Sequence, residues 1–206
     1  MLFTDESNSQ PPNPPKPQPP VSEELCNCGV AQKTTSGNRI IGGNNATFNE
    51  YPWQAFLQIT LDNGKYRGCG GSLISNQHIL TAAHCTEGAS GVSHAFLGEH
   101  DLNDIQEHAV TISRITDHPD YNSHTYDNDL SVLTLTTPVS FSPSMLPICL
   151  PGYVGKSYKG EVATVTGWGH TISGDAKSRA SILQEVNVTV WSNDQCRKAY
   201  HGKNTK

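Results

Sequence analysis

Thr81-Ala-Ala-His-Cys85 is the stretch of this 206-residue sequence that decides its fold. It places a histidine, His84, between two small residues and a cysteine. Histidine suits proton transfer, because an unperturbed imidazole pKa of about 6.5 lets it accept and return a proton near neutral pH. Asp129, which stands just before an apolar stretch, lies 45 residues further on. Only a folded chain can bring the two side chains together.

The sequence on both sides of this stretch is typical of short β-strands. Apolar residues alternate with polar ones over residues 53–61, which predicts a half-buried strand. Asp62-Asn-Gly64 follows directly, and Asn-Gly favours a hairpin turn. Further strands are predicted at residues 132–135, 162–166 and 185–190, and a helix at residues 192–200. Strands this short and this closely spaced indicate a barrel or a sandwich.

Composition supports a loop-rich β protein and excludes two classes of partner. Apolar residues make up 35% of the chain and charged residues 16%, while 18 glycines and 13 prolines favour turns. The net charge is −5, and no cluster of Lys and Arg is present to neutralise phosphates, so we expect no nucleic-acid partner. No apolar run approaches the length of a bilayer span, so we expect no membrane partner.

The six cysteines indicate an oxidising compartment. They lack the short-spaced pairs typical of zinc sites, which favours a disulfide framework over free structural thiols. Two candidate glycosylation sequons, at Asn45 and Asn187, fit a secreted chain. The first residues show no basic start followed by an apolar stretch, so no signal peptide is visible in this sequence.

The chain divides into three predicted regions. Residues 1–24 are proline-rich and are expected to form an extended, disordered linker or propeptide, with a docking site for a proline-binding domain as the alternative. Residues 25–39 contain two cysteines and then a polar stretch with no periodicity, which predicts an exposed, cleavable loop. The strand pattern begins at Ile40 and defines a domain over residues 40–206.

Several stretches, in a fixed order, carry a resemblance to one family. They are Arg39-Ile-Ile-Gly-Gly43, Thr81-Ala-Ala-His-Cys85, Asp127-Asn-Asp-Leu-Ser-Val-Leu133, Pro147-Ile-Cys-Leu-Pro151 and Gly167-Trp-Gly169. Together they resemble the secreted, trypsin-like serine endopeptidases of the chymotrypsin family. The resemblance implies an all-β, chymotrypsin-like double β-barrel. We expect the first barrel to be complete over residues 40–150 and the second to be partial.

The resemblance also assigns residues to roles. His84 would be the catalytic base and Asp129 the aspartate that orients it. Arg39 and Ile40 would form the activation junction, where cleavage after the arginine exposes a new amino terminus.

Disulfides are implied by the same resemblance. Cys69 would pair with Cys85, closing a loop of about 15 residues worth ~3 kcal/mol in the chain-entropy model. Cys149 would hold the propeptide through either Cys26 or Cys28, and the residues leave that choice open.

The expected nucleophile is missing from this sequence. In the family it lies in a Gly-Asp-Ser-Gly-Gly motif, and no such string occurs among the 206 residues. The resemblance places that serine beyond the segment around Cys196, so we expect the chain to stop before it and to be inactive as written. A non-catalytic secreted homologue that acts as a binding or cofactor protein is the alternative.

The expected partners are protein or peptide substrates, an activating protease and protease inhibitors. No cofactor and no metal are expected. Glu99 and Glu107 flank a loop that binds calcium in some relatives, but here the loop looks shorter, and an acidic surface loop is favoured.

Overall fold

The computed structural model describes residues 28–31, 43–104, 109–152, 155–175 and 177–200. Strands dominate these residues, with two helices and one 3₁₀ turn between them. In chain order the elements are β1 Asn44–Asn45, β2 Gln54–Thr60, β3 Tyr66–Leu73, β4 His78–Thr81, α1 Ala83–Thr86, β5 Ser93–Leu97, the 3₁₀ turn Leu102–Asp104, β6 Ala109–Asp117, β7 Ser131–Leu135, β8 Val162–Gly167, β9 Gln184–Thr189 and α2 Asn193–Tyr200.

Six strands close into an antiparallel barrel in the order β2-β3-β4-β7-β6-β5, with β5 returning to pair with β2. The alternation predicted over residues 53–61 is confirmed, because Ala55, Leu57 and Ile59 point inward and are fully buried. Leu133 and Leu135 of β7 meet them in the same core. Burying each of these leucine and isoleucine side chains contributes about 1.5–3 kcal/mol. The barrel strands run from Gln54 to Leu135, within the range of about 40–150 expected for this barrel.

The turn between β2 and β3 has the predicted hairpin geometry. Gly64 has a φ of 72°, in the left-handed region that favours glycine. The amide of Leu61 donates to the carbonyl of Lys65 over 2.9 Å, and the Lys65 amide donates to Asn63 Oδ1 over 3.0 Å. The Asn-Gly pair thus sets the register of the first two barrel strands.

A second, open sheet has the order β1-β9-β8, which agrees with a partial second barrel. Its β1 strand precedes the first barrel in the chain yet pairs with β9, at Asn45 and Gln184. On one face of this sheet Val165, Val186 and Val188 are 52%, 37% and 40% exposed. The apolar side of β8 and β9 is therefore largely uncovered among the described residues.

The second sheet is attached to the first barrel by a small core and by polar contacts. Ala46, Trp168 and Leu183 are buried together there. Nearby, Thr166 Oγ1 donates to Gln54 Oε1 over 2.7 Å.

The segment before the barrel domain is joined to it by a disulfide between Cys28 and Cys149. Next to this bond, the Gly29 amide donates to the carbonyl of Pro147 over 2.8 Å. The choice left open by the sequence is therefore settled as Cys28. Cys26 lies outside the described residues, as do Arg39 and Ile40.

The predicted C-terminal helix is confirmed as α2. Ser192 caps it by accepting a hydrogen bond from the Gln195 amide at 3.2 Å. Cys196 within it carries a free, exposed thiol. Across the described ranges, no helix combines the length and apolar character required to cross a membrane.

Candidate active site

The pairing of β4 with β7 brings the two predicted site residues together. The last pair of this ladder joins Thr81 to Ser131. His84 lies three residues after Thr81, on the short helix α1, and Asp129 lies two residues before Ser131. Both side chains therefore emerge at the same end of the same strand pair.

Two hydrogen bonds connect His84 and Asp129. Ring atom Nδ1 of His84 lies 2.7 Å from Asp129 Oδ2, and the His84 backbone amide donates to Asp129 Oδ1 over 2.8 Å. Because an ionised carboxylate only accepts, Nδ1 must carry the proton of this bond. In the neutral ring, Nε2 is then the unprotonated nitrogen. The His84 side chain is 48% exposed, so this nitrogen can be reached from solvent.

The environment keeps Asp129 ionised. Burial raises the pKa of its carboxyl, but the hydrogen bonds from the ring and the backbone amide of His84 more than offset this effect. The net result is a pKa below the ordinary value of 3.8. Asp129 is thus a carboxylate at neutral pH and can stabilise a protonated His84 ring.

The backbone before Asp129 is held in an unusual conformation. Asn128 has a φ of 56°, a left-handed conformation that asparagine tolerates better than most residues. Its side-chain amide donates to the carbonyl of Asp120 over 2.9 Å. This hydrogen bond therefore fixes the turn that carries Asp129.

The disulfide between Cys69 and Cys85 lies beside the histidine, as the resemblance implied. It joins β3 to α1, with the Cys85 sulfur 3.6 Å from His84 Nε2. A further bond runs from Thr86 Oγ1 to Asp117 Oδ1 over 2.6 Å and ties α1 to β6. Both sulfur atoms are used by the disulfide, so neither is available as a thiolate ligand in this state.

Comparisons with known proteins agree with this geometry. Residues 40–206 match the trypsin family model. The chain belongs to the trypsin family.

Among its relatives is the serine protease filzig of Drosophila melanogaster, 38% identical over 187 residues, which cover 87% of this chain and 11% of filzig. The proclotting enzyme of Tachypleus tridentatus is 33% identical over 201 residues, covering 91% of this chain and 52% of that protein. The chain thus spans about half or less of the length of these two relatives. The solved structure of HL collagenase superposes with a TM-score of 0.70 at 35% identity, over 78% of this chain and 67% of that one.

Arg67 is a residue of this trypsin-family site that the sequence analysis did not identify. Its Nη1 atom donates to the carbonyls of His84, Cys85 and Glu87 over 2.7, 3.2 and 2.9 Å. Carbonyls at the end of a short helix otherwise lack partners, and a cation is favoured there. Arg67 therefore fixes the segment that carries the histidine.

Two tyrosines also lie close to His84 and Asp129. The Tyr126 ring meets the His84 ring edge-on, with centroids 6.0 Å apart. The Tyr121 hydroxyl is shielded from solvent and has no hydrogen-bond partner among the described residues. Burial raises the pKa of Tyr121, and the charge of Asp129 adds to the effect. Tyr121 thus stays neutral beside the carboxylate.

The remaining predicted site residues lie apart from this pair. Asn45 is exposed on β1, and its Oδ1 accepts from Gln184 over 2.7 Å. Asn187 is exposed on β9, where Thr164 donates to its Oδ1 over 2.9 Å. Arg39 and Ile40, which the sequence predicts to form an activation junction, lie outside the described residues.

Proposed function

We propose that this chain is part of a secreted serine endopeptidase made as a zymogen, and that it supplies the base and the orienting aspartate. The observation that carries the proposal is the bond between His84 Nδ1 and Asp129 Oδ2, which leaves Nε2 free to take a proton. A binding scaffold has no physical need for this arrangement. Its substrates would be proteins or peptides.

The proposed reaction is peptide-bond hydrolysis by acyl transfer. A serine hydroxyl is a poor nucleophile at neutral pH unless an adjacent base accepts its proton. His84 would accept that proton at Nε2 and later return it to the leaving amine, while Asp129 stabilises the imidazolium. The serine itself would come from a family motif that is not among these 206 residues. We therefore propose that the chain as written is inactive.

Activation would follow cleavage of the Arg39–Ile40 bond by another protease. The two disulfides support a secretory origin, since such bonds persist in oxidising compartments. Exposure of Asn45 and Asn187 is compatible with glycosylation at both sequons. Protease inhibitors would be further partners of the activated form.

The first test compares two forms of the protein. The 206-residue chain should not react with a serine-directed phosphonate probe, whereas the full-length protein should react after cleavage at Arg39. In that active form, His84→Ala should lower kcat for a peptide substrate by roughly 10⁶-fold. His124→Ala is the matched control, because His124 is exposed and only its backbone amide is hydrogen-bonded. Probe labelling of the 206-residue chain would contradict the proposed inactivity.

The alternative is a non-catalytic homologue. The coding sequence beyond the Lys206 codon distinguishes it from the enzyme. A Gly-Asp-Ser-Gly-Gly motif there supports the enzyme. Another residue in place of that serine would refute catalysis and leave a binding role.

A further inference from the structure

A cleft opens beside the disulfide of Cys69, between the first barrel and the second sheet. Phe56, Gly68 and Cys69 line it on the barrel side. Trp168 and Arg179, which lie between β8 and β9, line it on the other side. The rings of Phe56 and Trp168 meet edge-on, with centroids 6.0 Å apart. The volume of the cleft is about 190 Å³, which suits one side chain better than a whole small-molecule ligand.

Arg179 brings an unpaired positive charge to this cleft. It is the only charged residue in the described lining. Its Nε atom donates to the carbonyl of Trp168 over 3.4 Å, and no carboxylate pairs with the guanidinium among the described residues. The four N–H groups on the two Nη atoms are therefore available to a carboxylate from outside the chain.

The glycine at position 68 makes room for this guanidinium. A Cβ added at Gly68 would lie 2.8 Å from Arg179 Nη2 and 3.3 Å from the ring of Phe56. Any larger residue there would therefore push the guanidinium away from β3. Because Gly68 directly precedes Cys69, Arg179 Nη2 lies beside the strand that carries the disulfide.

His84 connects the cleft to the proposed chemistry. In acyl transfer the base returns its proton to the leaving amine, so that amine must lie against Nε2 of His84. This nitrogen is 3.6 Å from the Cys85 sulfur, and the Cys69 sulfur lies within 4.8 Å of a ring nitrogen of His84. An extended segment advances about 3.3 Å per residue. A segment that starts at Nε2 and runs along the disulfide thus reaches the cleft at about its second residue.

We propose that the cleft binds an acidic side chain at the second residue after the cleaved bond, and that Arg179 sets this preference. The proposal rests on the proposed function, because it concerns the peptides that the active protein cuts. A planar guanidinium holds a carboxylate through two parallel N–H bonds, whereas a glutamine amide offers only one oxygen. Because Arg179 is exposed, water and salt weaken the pair, and the preference should be moderate.

The test uses the full-length protein after cleavage at Arg39, with one peptide that it cuts. Three versions of this peptide carry Glu, Gln or Lys at the second residue after the cut and are otherwise identical. We expect kcat/KM to be about 5-fold higher for the Glu peptide than for the Gln peptide, the upper range for a partly exposed ion pair. The Lys peptide should be the slowest. The preference for Glu should largely disappear in about 1 M salt.

Variants separate Arg179 from other sources of the preference. Arg179→Gln should cut the Glu and Gln peptides at equal rates, and Arg179→Glu should prefer the Lys peptide. Lys177→Gln is the matched control. It removes the same charge from the same exposed connection, but Lys177 lies outside the cleft, and its backbone amide donates to Asp175. All three variants should keep the parent's kcat/KM for the Gln peptide, which shows that they fold.

The outcomes distinguish this proposal from the proposed function. Equal kcat/KM for the three peptides in the parent would overturn the preference and leave the proposed function standing. A preference for Glu that persists in Arg179→Gln, or that high salt does not reduce in the parent, would overturn the role of Arg179. A full-length protein that cuts no peptide would overturn the proposed function, and the role of the cleft with it.

Discussion

Asp129 uses its two carboxylate oxygens for different tasks. One accepts the ring proton of His84 and the other accepts the backbone amide of the same residue. The aspartate thus fixes both the orientation of the ring and the position of the segment that carries it. Its side chain is 22% exposed, so water competes only partly for these bonds.

Asp129→Asn should change the acid dependence of stability. The pKa of Asp129 is lower in the folded chain than its ordinary value, so the unfolded chain binds its proton first as pH falls. Asp129 therefore makes its full contribution to the free energy of unfolding at pH values above its ordinary pKa. This contribution is lost as pH falls through the pKa of the folded chain. Urea unfolding should show a larger stability gap between parent and variant at about pH 7 than at about pH 2.5.

Asp120→Asn is the control for this comparison, since Asp120 is exposed and only its backbone carbonyl accepts a bond here. A gap between parent and Asp129→Asn that is the same at both pH values would contradict the lowered pKa.

Arg67→Ala should lower the free energy of unfolding by about 2 kcal/mol, because three carbonyls lose a charged donor. Arg114→Ala on β6 is the matched control, since Arg114 is exposed. A surface change of that kind should stay within about 0.5 kcal/mol. Urea unfolding of the two variants and the parent measures the difference. Equal loss in both variants would show that the three bonds contribute nothing specific.

Sequence patterns predicted the proposed catalytic pair, but not the residues that hold it in place. His84 and Asp129 stand in short motifs whose neighbours are distinctive. Arg67 acts through a side chain that reaches carbonyls 17–20 residues away, and nothing in its local sequence reports such a contact. The choice of Cys28 was likewise open, because two candidate cysteines lie one residue apart and only the path of the chain distinguishes them.

At the scale of elements, the two sheets differ: the first closes into a barrel and the second is open. Every strand of the barrel has a neighbour on both sides, and its central aliphatic side chains are fully buried. In the second sheet, β8 is an edge and β1 contributes only two residues among those described. Open edges and uncovered apolar side chains give less protection against local opening.

Hydrogen exchange should reflect this difference. Amides of β2, β4 and β7 should exchange slowly, and those of β8 and β9 should exchange much faster under the same conditions. Mass spectrometry of peptic fragments measures both regions in a single sample, so the barrel serves as the internal control. Uniform protection across residues 54–189 would show that the second sheet is as stable as the barrel.

Elements with clear alternation were predictable, and those built from small residues were not. The β2 strand, the Asn-Gly hairpin and α2 follow from local pattern and capping. The β3 strand contains Gly68, Gly70 and Gly71, which weaken a strand signal. At Gly71 an added Cβ would lie 2.7 Å from a methyl of Ile79, so glycine allows close packing there. Such a requirement is visible only in three dimensions.

At the scale of the whole molecule, the bond between Cys28 and Cys149 spans 121 residues and crosses the proposed cleavage point. Limited digestion with trypsin should cut after Arg39 and yield a new amino terminus reading Ile-Ile-Gly-Gly. The two pieces should remain together on a non-reducing gel and separate after reduction. Cys28→Ser should release the smaller piece without reduction, whereas Cys196→Ser should not. An intact Arg39–Ile40 bond while other loops are cut would contradict the zymogen proposal.

The ladder between β4 and β7 also determines when His84 and Asp129 can meet during folding. Its two strands are separated in the chain by the whole of β5 and β6, and His84 and Asp129 are 45 residues apart. Contacts between such distant segments form late, because the loop between them must first be ordered. A partly folded chain therefore holds the histidine without its aspartate. The oriented pair of His84 and Asp129 is therefore complete only once the barrel has been assembled around it.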